Sequence, residues 1–509
     1  METTFFRLPE ISPRDEHDAK LIHDVHPRDW VNPEPASRYH LVVVGAGTAG
    51  LISASFAAGA GGRVALVEQY RMGGDCLNFG CVPSKVVVRS SRVFAELRDA
   101  EALGWRVPRG SGADFSALMA RIRRVQAQIS PNDSVLRYRD DKGVDVFFGH
   151  GQFSAPDILE VDGKVLRFKK LVIATGARAT HPAIPGLSDT GFLTNETVFN
   201  LIERPKRLAV IGAGPVGSEL AQAFCRLGCE VTLFEMTDHI LVREDPDVAA
   251  IVQTSMVRDG VQLMLKCKVE RVERTDDGKR IYFDCSGKHS IVVDEILVGA
   301  GRAPNVEGLN LEAAGVTYDR QGIQVNDSLQ TSNPRIYGAG DVCMAWKFTH
   351  AAEDAARIAV QNALFPGSRK LSTLPMPWCT YTDPEIAHVG MYEHEANQRG
   401  IDVDTYTHHW CDVDRAIIDG EEDGVVKIHV RKGTDQILGG TIVARHAGEM
   451  ISELTLAMVG KIGLKKLSEV IHPYPTQSDA VRRAAFSYSM TRMTPLVKKL
   501  LGYWLKWTN

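Results

Sequence analysis

Two cysteines, Cys76 and Cys81, stand five positions apart in the stretch MGGDCLNFGCVPSK, between paired glycines and a proline. Cysteines at such a spacing can bind a metal, form a structural bridge, fill a core, or exchange electrons as dithiol and disulfide. A structural zinc site asks for a second ligand pair at suitable spacing, and the sequence shows none. Nine cysteines in 509 residues are no disulfide scaffold, and an odd count leaves at least one unpaired. The chain reads as made for a reducing compartment, where a structural bridge is out of place. The stretch is too polar and glycine-rich to be ordinary core. The redox reading carries a geometric condition. Five residues of ideal helix rise roughly 7.5 Å, beyond the ~7 Å Cα limit for a disulfide. The backbone around Asn78 and Gly80 must therefore leave a straight helix.

The elements that would position such a pair are legible nearby. Tyr39 opens a βαβ pattern with an apolar strand over 41–44, then Gly45-x-Gly47-x-x-Gly50, a small-residue helix, and a second strand ending at Glu68. The pattern returns 167 positions later: a strand over 208–211, Gly212, Gly214 and Gly217, a helix, and a strand ending at Glu235. In each unit the first glycine permits the turn, the second lets the backbone approach a pyrophosphate, and the third lets helix and strand pack. The pyrophosphate sits on the helix N-terminus, and an acid 23 residues after the first glycine is placed for a ribose hydroxyl pair. Two such loops call for two dinucleotides, a flavin and a nicotinamide cofactor. Glu235 should repel a 2′-phosphate, and no Arg or Lys lies between it and Arg243, so NADH is favoured over NADPH.

Length forces more than one core. A net charge of -4 and a pI near 6.5 give no reason to expect nucleic acid. The N-terminus has acidic residues and no apolar h-region, so no signal peptide is expected. No apolar run reaches 18 residues, so no membrane span is expected. The expected location is cytoplasmic.

GGDCLNFGCVPSK resembles the redox-active segment of the pyridine nucleotide–disulfide oxidoreductases, the flavoprotein family of glutathione reductase, dihydrolipoamide dehydrogenase and mercuric reductase. The resemblance runs in order from about residue 38 to 490. It includes the Gly45 loop, Ala174-Thr175-Gly176, the Gly212 loop, GRAPN at 301–305, GAGD at 338–341 and HPYPTQSD at 472–479. It implies an α/β fold with two Rossmann-like FAD- and NAD(P)-binding domains and an α+β C-terminal dimerisation domain. The expected division is an N-terminal arm read as extended (1–37), an FAD part (38–195), an NAD(P) domain (196–310), a second FAD part (311–370), an interface domain (371–490) and a tail (491–509).

The same resemblance implies roles. Electrons pass from NAD(P)H to FAD, to a Cys76–Cys81 disulfide, and on to a small-molecule or metal-ion acceptor. Cys76 is the interchange thiol and Cys81 the thiol beside the flavin, giving a charge-transfer complex when reduced. Lys85 lies near the reactive flavin nitrogen and pairs with Glu219. Gly45, Gly47, Thr48, Ala49, Gly50 and Glu68 hold the ADP half of FAD. Gly74, Asp75, Ala174, Thr175, Gly176, Gly340 and Asp341 complete the flavin site, with a backbone contact at His350. Gly212, Gly214, Pro215, Val216, Gly217 and Glu235 hold the nicotinamide nucleotide, and Gly301 and Arg302 belong to the cofactor set. The family is a homodimer, each active site completed by the partner's C-terminal domain. No resident metal is implied.

One motif departs from the family. Its disulfide reductases carry a His and a Glu as general acid/base. Here Tyr474 falls at the His and Asp479 at the Glu. A phenol is a poor base near neutrality, which speaks against glutathione or lipoamide chemistry. His472 substitutes only if its loop shifts; its alternative is packing. Mercuric reductases carry a Tyr in this region and resemble the chain better, although the tail lacks their C-terminal cysteine pair. A quinone, a copper ion or a reactive chlorine product is an alternative oxidant, and a redox sensor an alternative role. Cys225 and Cys229 read as helix packing, and Cys267, Cys285, Cys343, Cys379 and Cys411 as isolated structural residues. In the tail, Leu496, Leu500, Trp504 and Trp507 can share a helical face. That helix either docks on its own dimer or makes a peripheral membrane contact.

Overall fold

The computed structural model describes residues 14–108, 110 and 112–508. The chain divides into two compact units, Met1–Met236 with Gly260–Thr373, and Thr237–Asp259 with Leu374–Asn509.

The first unit holds two sheets built on parallel strands, beside smaller antiparallel pairings. Tyr39–Val44 is the centre of one, pairing in parallel with Val64–Glu68 and with Lys164–Ile173; Asp145–Phe148 and Ile336–Gly338 extend it. These strands are near-continuous apolar runs because both faces are covered, one of them by the Gly151–Ala155 and Ile158–Val161 strands and the 309–316 segment. Tyr39, Phe147 and Phe168 are buried in their core. The second sheet runs Gln262–Met264, Glu230–Phe234, Arg207–Ile211, Glu295–Val298, all parallel. Each glycine loop thus follows a central strand and opens a helix, Thr48–Gly59 and Pro215–Arg226.

Residues expected as an extended arm instead include a helix, Glu16–Val25, capped by Asp15, which accepts from the amides of His17 and Asp18. It has reason to fold: Leu21 and Val25, four apart, are both buried. The Val25 carbonyl accepts from Met72 N–H at 3.0 Å and the His26 ring meets the Tyr70 carbonyl, so this helix braces the segment leading into the cysteines.

The second unit is a five-stranded antiparallel sheet, ordered Pro377–Thr380, Glu385–Gly390, Ile437–Ala444, Val425–Arg431, Val403–His409. Helices Ala447–Val459 and Asp479–Thr491 contribute to its core with Trp410, Ile428 and Leu454. The Thr237–Asp259 segment, inside the 196–310 span in sequence, groups here: Trp378 Nε1 donates to Glu244 at 2.9 Å and Lys427 pairs with Asp245 at 2.7 Å.

Candidate active site

The two glycine loops are built alike. Gly45 and Gly212 take left-handed backbone angles, φ +99° and +98°, which glycine adopts without strain. A Cβ on Gly50 or Gly217 would run into the carbonyl oxygen of Gly45 or Gly212. Gly214 differs: a Cβ there would meet nothing within 4 Å. No packing demand of the protein itself excludes a side chain at Gly214, so this open cradle fits a bound pyrophosphate. Thr48 and Pro215 open the two helices. Glu68 accepts from Ala46 N–H at 2.7 Å, and Glu235 from Ala213 N–H at 2.9 Å. Each acid is thereby tied to its own turn, and its second carboxylate oxygen accepts from a following amide, Tyr70 N–H on Glu68 at 2.8 Å and Met236 N–H on Glu235 at 2.7 Å. Burial pushes the Glu68 carboxyl up, against the Ala46 and Tyr70 amides.

The cysteines straddle a break between helices. Cys76 lies in Gly74–Asn78, Phe79 and Gly80 interrupt it, and Cys81 is the first residue of Cys81–Asp99. The straight helix that would keep the sulfurs apart is absent. Asn78 Nδ2 staples the short helix by donating to the Met72 and Gly74 carbonyls at 3.1 and 2.8 Å. Gln126 Nε2 reaches across to the Leu77 and Asn78 carbonyls at 3.0 and 2.9 Å. Gly74 crosses Gly47 so closely that a Cβ on Gly74 would strike the Gly47 Cα. The first glycine loop and the cysteine segment are packed directly together.

Neither sulfur is in a disulfide here. Cys76 donates to Cys81, which pulls Cys81 down to about 6 and drives Cys76 up. Against the cost of burial, the Thr349 hydroxyl, 3.3 Å from the Cys81 sulfur, and the Lys85 charge favour that thiolate. So does its place at a helix N-terminus. Lys85, one turn further on, pairs with Glu219 of the second glycine-loop helix at 2.6 Å.

The remaining motifs converge on an arginine. Arg302 contacts Asp75 at 3.1 Å, Asp341 at 3.5 Å and the Ala177 carbonyl at 2.7 Å. Asn195 donates to Asp75 at 3.0 Å. Thr175 and Asn305 exchange hydrogen bonds, Thr175 Oγ1 donating to the Asn305 carbonyl at 2.7 Å. That holds Ala174–Gly176 against Gly301–Asn305 beside the Ala177–Ala179 and Arg302–Pro304 strand pair. Gly340 approaches Ala49 and Ala352. Burial pushes the Asp341 carboxyl up, opposed by Arg302. His350 is exposed and stacks on Phe348 at 5.6 Å.

A cavity of about 270 Å³ opens beside Cys76, lined also by Thr48, Ser55, Asp133, Arg137 and Lys142. Burial pushes the Asp133 carboxyl up to about 6, against Arg137. Sequence reading missed Asp133, Gln126 and Thr349. None sits in a spacing pattern that would have signalled it.

In the second unit, Tyr474 is exposed, and its hydroxyl donates to Asp414 at 2.9 Å, which raises the phenol above its ordinary value. Asp479 is buried and clasped by Arg482 and Arg483 at 2.8 and 2.6 Å. Burial alone would raise its carboxyl; the two arginines hold it below the usual range. His472 Nε2 pairs with Glu453 at 3.0 Å.

The other cysteines need two corrections. Cys267 and Cys285 are structural as expected but not isolated: strands Lys268–Thr275 and Gly278–Asp284 bring them into a disulfide, Cα atoms 4.5 Å apart, against the expectation that this chain carries no structural bridge. Cys229 lies beyond the Pro215–Arg226 helix, in the turn before the next strand, where it is buried. Among the described residues no group of three or more His, Cys, Asp or Glu could hold a metal ion.

Residues 39–356 match the family described as "Pyridine nucleotide-disulphide oxidoreductase", and residues 376–485 match its dimerisation domain. A mercuric reductase of Lysinibacillus sphaericus is 34% identical over 88% of the chain and 82% of that protein. A dihydrolipoyl dehydrogenase of Bacillus subtilis is 31% identical over 89% and 98%. Among solved structures, the HOCl-induced flavoprotein disulfide reductase RclA from Escherichia coli superposes with a TM-score of 0.78. It is 28% identical, over 87% of this chain and 99% of that one. RclA is also solved as a Cu(II) complex, with the same TM-score.

Proposed function

Because the chain belongs to the pyridine nucleotide–disulphide oxidoreductases, NAD(P)H-dependent flavoprotein enzymes acting on sulfur groups or metal ions, we propose a specific reading. It is a mercuric-reductase-like enzyme in which Cys76 and Cys81 are the redox pair and Cys76 hands electrons to a small thiophilic acceptor. Bound FAD supplies two-electron exchange between nicotinamide and sulfur. The Gly45 loop, Glu68, the Asp75–Arg302–Asp341 cluster and the Ala174–Gly176 turn are the residues that would hold it; the Gly212 loop and Glu235 would hold the nicotinamide nucleotide. This assigns 38–195 and 311–370 to the flavin, 196–310 to the nicotinamide nucleotide and 371–490 to the interface.

The observation that carries the reading is the asymmetry of the two sulfurs. Cys81 keeps its negative charge at the head of its helix, beside Lys85 and Thr349. Cys76 keeps the proton and faces a cavity that an acceptor can enter. Reduction of a thiophilic divalent ion balances without a proton donor at a leaving sulfur: NAD(P)H gives up two electrons and one proton is released, and one Hg(II) takes both electrons to become Hg(0), or two Cu(II) take one each to become Cu(I). A disulfide substrate does need that donor, and Tyr474, bonded to Asp414, is a poor one. This supports a metal ion such as Hg(II) or Cu(II) over lipoamide. Glu235 supports NADH. Dependence on NAD(P)H supports a cytoplasmic enzyme, and the matched dimerisation domain supports a homodimer.

Steady-state NADH oxidation by flavin-loaded protein tests the acceptor, with Hg(II) in excess small thiol, Cu(II), and lipoamide run in parallel. Turnover with an ion, lost in Cys76→Ala, is expected. Lipoamide turnover as fast as with either ion would defeat the assignment.

A further inference from the structure

The last helix, Pro495–Trp507, buries none of its residues. Its start is nonetheless locally encoded: Thr494 Oγ1 accepts from Val497 N–H at 3.3 Å and Pro495 takes the first position. At 100° per residue, Tyr503, Leu496, Trp507, Leu500 and Trp504 fall within one continuous arc of about 100°. Lys498 lies opposite that arc, and Lys499 and Lys506 lie just beyond its Tyr503 edge. Leu496, Trp504 and Trp507 are 66%, 59% and 78% exposed. Between Thr491 and Asn509 there are four basic residues and no acidic one.

We propose that this helix docks the enzyme on an anionic lipid bilayer, lying in the headgroup plane with Leu496, Leu500, Trp504 and Trp507 inserted and the lysines on anionic headgroups. Two observations favour a bilayer over a protein groove. Charge is complementary over the whole polar face, since every charged residue of the helix is a lysine. Three of the five side chains on the apolar arc are Trp or Tyr, amphipathic rings suited to the boundary between headgroup and acyl chain. The helix lies on the surface and does not cross it: thirteen residues span roughly 20 Å against a hydrocarbon core of about 30 Å. No helix among the described residues is long and apolar enough to cross a membrane. The proposal stands independently of which acceptor is reduced.

Co-sedimentation of the full-length, flavin-loaded protein with two vesicle preparations tests it, one of phosphatidylcholine alone and one with about 30% phosphatidylglycerol. Binding to the anionic vesicles is expected, with partitioning about tenfold lower in Leu500→Glu/Trp504→Glu. Lys498→Gln/Lys499→Gln/Lys506→Gln should lose the preference for anionic lipid. In both variants NADH oxidation and native mass should match the wild type. Three results would each overturn the proposal: no vesicle binding by the wild type, unchanged binding by the Leu500/Trp504 variant, or conversion of that variant to monomer, which would mean the helix covers a second copy.

Discussion

At Cys81, three neighbours favour a charge on one sulfur: the Cys76 thiol, the Thr349 hydroxyl and the Lys85 ammonium. A lowered pKa means the thiolate persists down to about 6 and is lost below it. Alkylation of the NADH-reduced enzyme should therefore lose its fast phase as pH falls through about 6. In Cys76→Ala, with the donor gone, the transition should move toward ~8.5. An unchanged profile in Cys76→Ala would remove Cys76 as the cause. Because the two thiols titrate as a pair, the profile reports the pair. Glu235 makes a second residue-scale prediction. Glu235→Ser removes a negative charge facing the ribose, and kcat/KM for NADPH relative to NADH should rise about tenfold, or ~1.4 kcal/mol. No change in that ratio would mean the acid does not face the ribose. The Lys85–Glu219 pair was legible because both residues sit in motifs that the family resemblance spans. Thr349 was not, because a hydroxyl 268 positions from Cys81 carries no local signal. Gln126 and Asp133 were hidden for the same reason: folding alone brings their helical segments to the cysteine turn.

Among elements, the βα units were readable because each is set by a short local pattern, an apolar run followed by spaced glycines. The break between Cys76 and Cys81 was readable from helix rise alone. The Glu16–Val25 helix was read as extended because prolines and charges surround it. The Asp15 cap and the Leu21–Val25 spacing were the overlooked signals. Leu21 is buried at 2% exposure, so Leu21→Ala should cost about 2–5 kcal/mol, seen as a lower denaturation midpoint. Amide exchange at Met72, which donates to Val25, should quicken with it. Protection at Met72 equal to wild type would mean the helix does not brace the cysteine segment. The Cys267–Cys285 bridge was out of reach for a different reason. It depends on the register of a hairpin 18 residues apart at its ends, and register follows from pairing rather than from either cysteine's neighbours.

For the molecule as a whole, the α/β units and the antiparallel C-terminal sheet follow from strand patterning. Assembly draws on surface that a single chain leaves open. Ile471 is 92% exposed, and Leu456 and Val459 are also exposed in the span matched as the dimerisation domain, as are Phe486 and Met490 just beyond it. Apolar side chains exposed in this number mark an interaction surface. Ile471→Asp should convert a two-chain particle into single chains of 55.9 kDa by light scattering; a dimer that survives would put the interface elsewhere. The central claim is that reducing equivalents from the nicotinamide nucleotide arrive at Cys76 and Cys81, and differential thiol labelling tests it most directly. Flavin-loaded protein is treated anaerobically with NADH or buffer, denatured, alkylated and peptide-mapped. Cys76 and Cys81 should gain label only after NADH, while Cys267 and Cys285 stay unlabelled in both samples. Equal labelling of Cys76 and Cys81 with and without NADH would contradict the account.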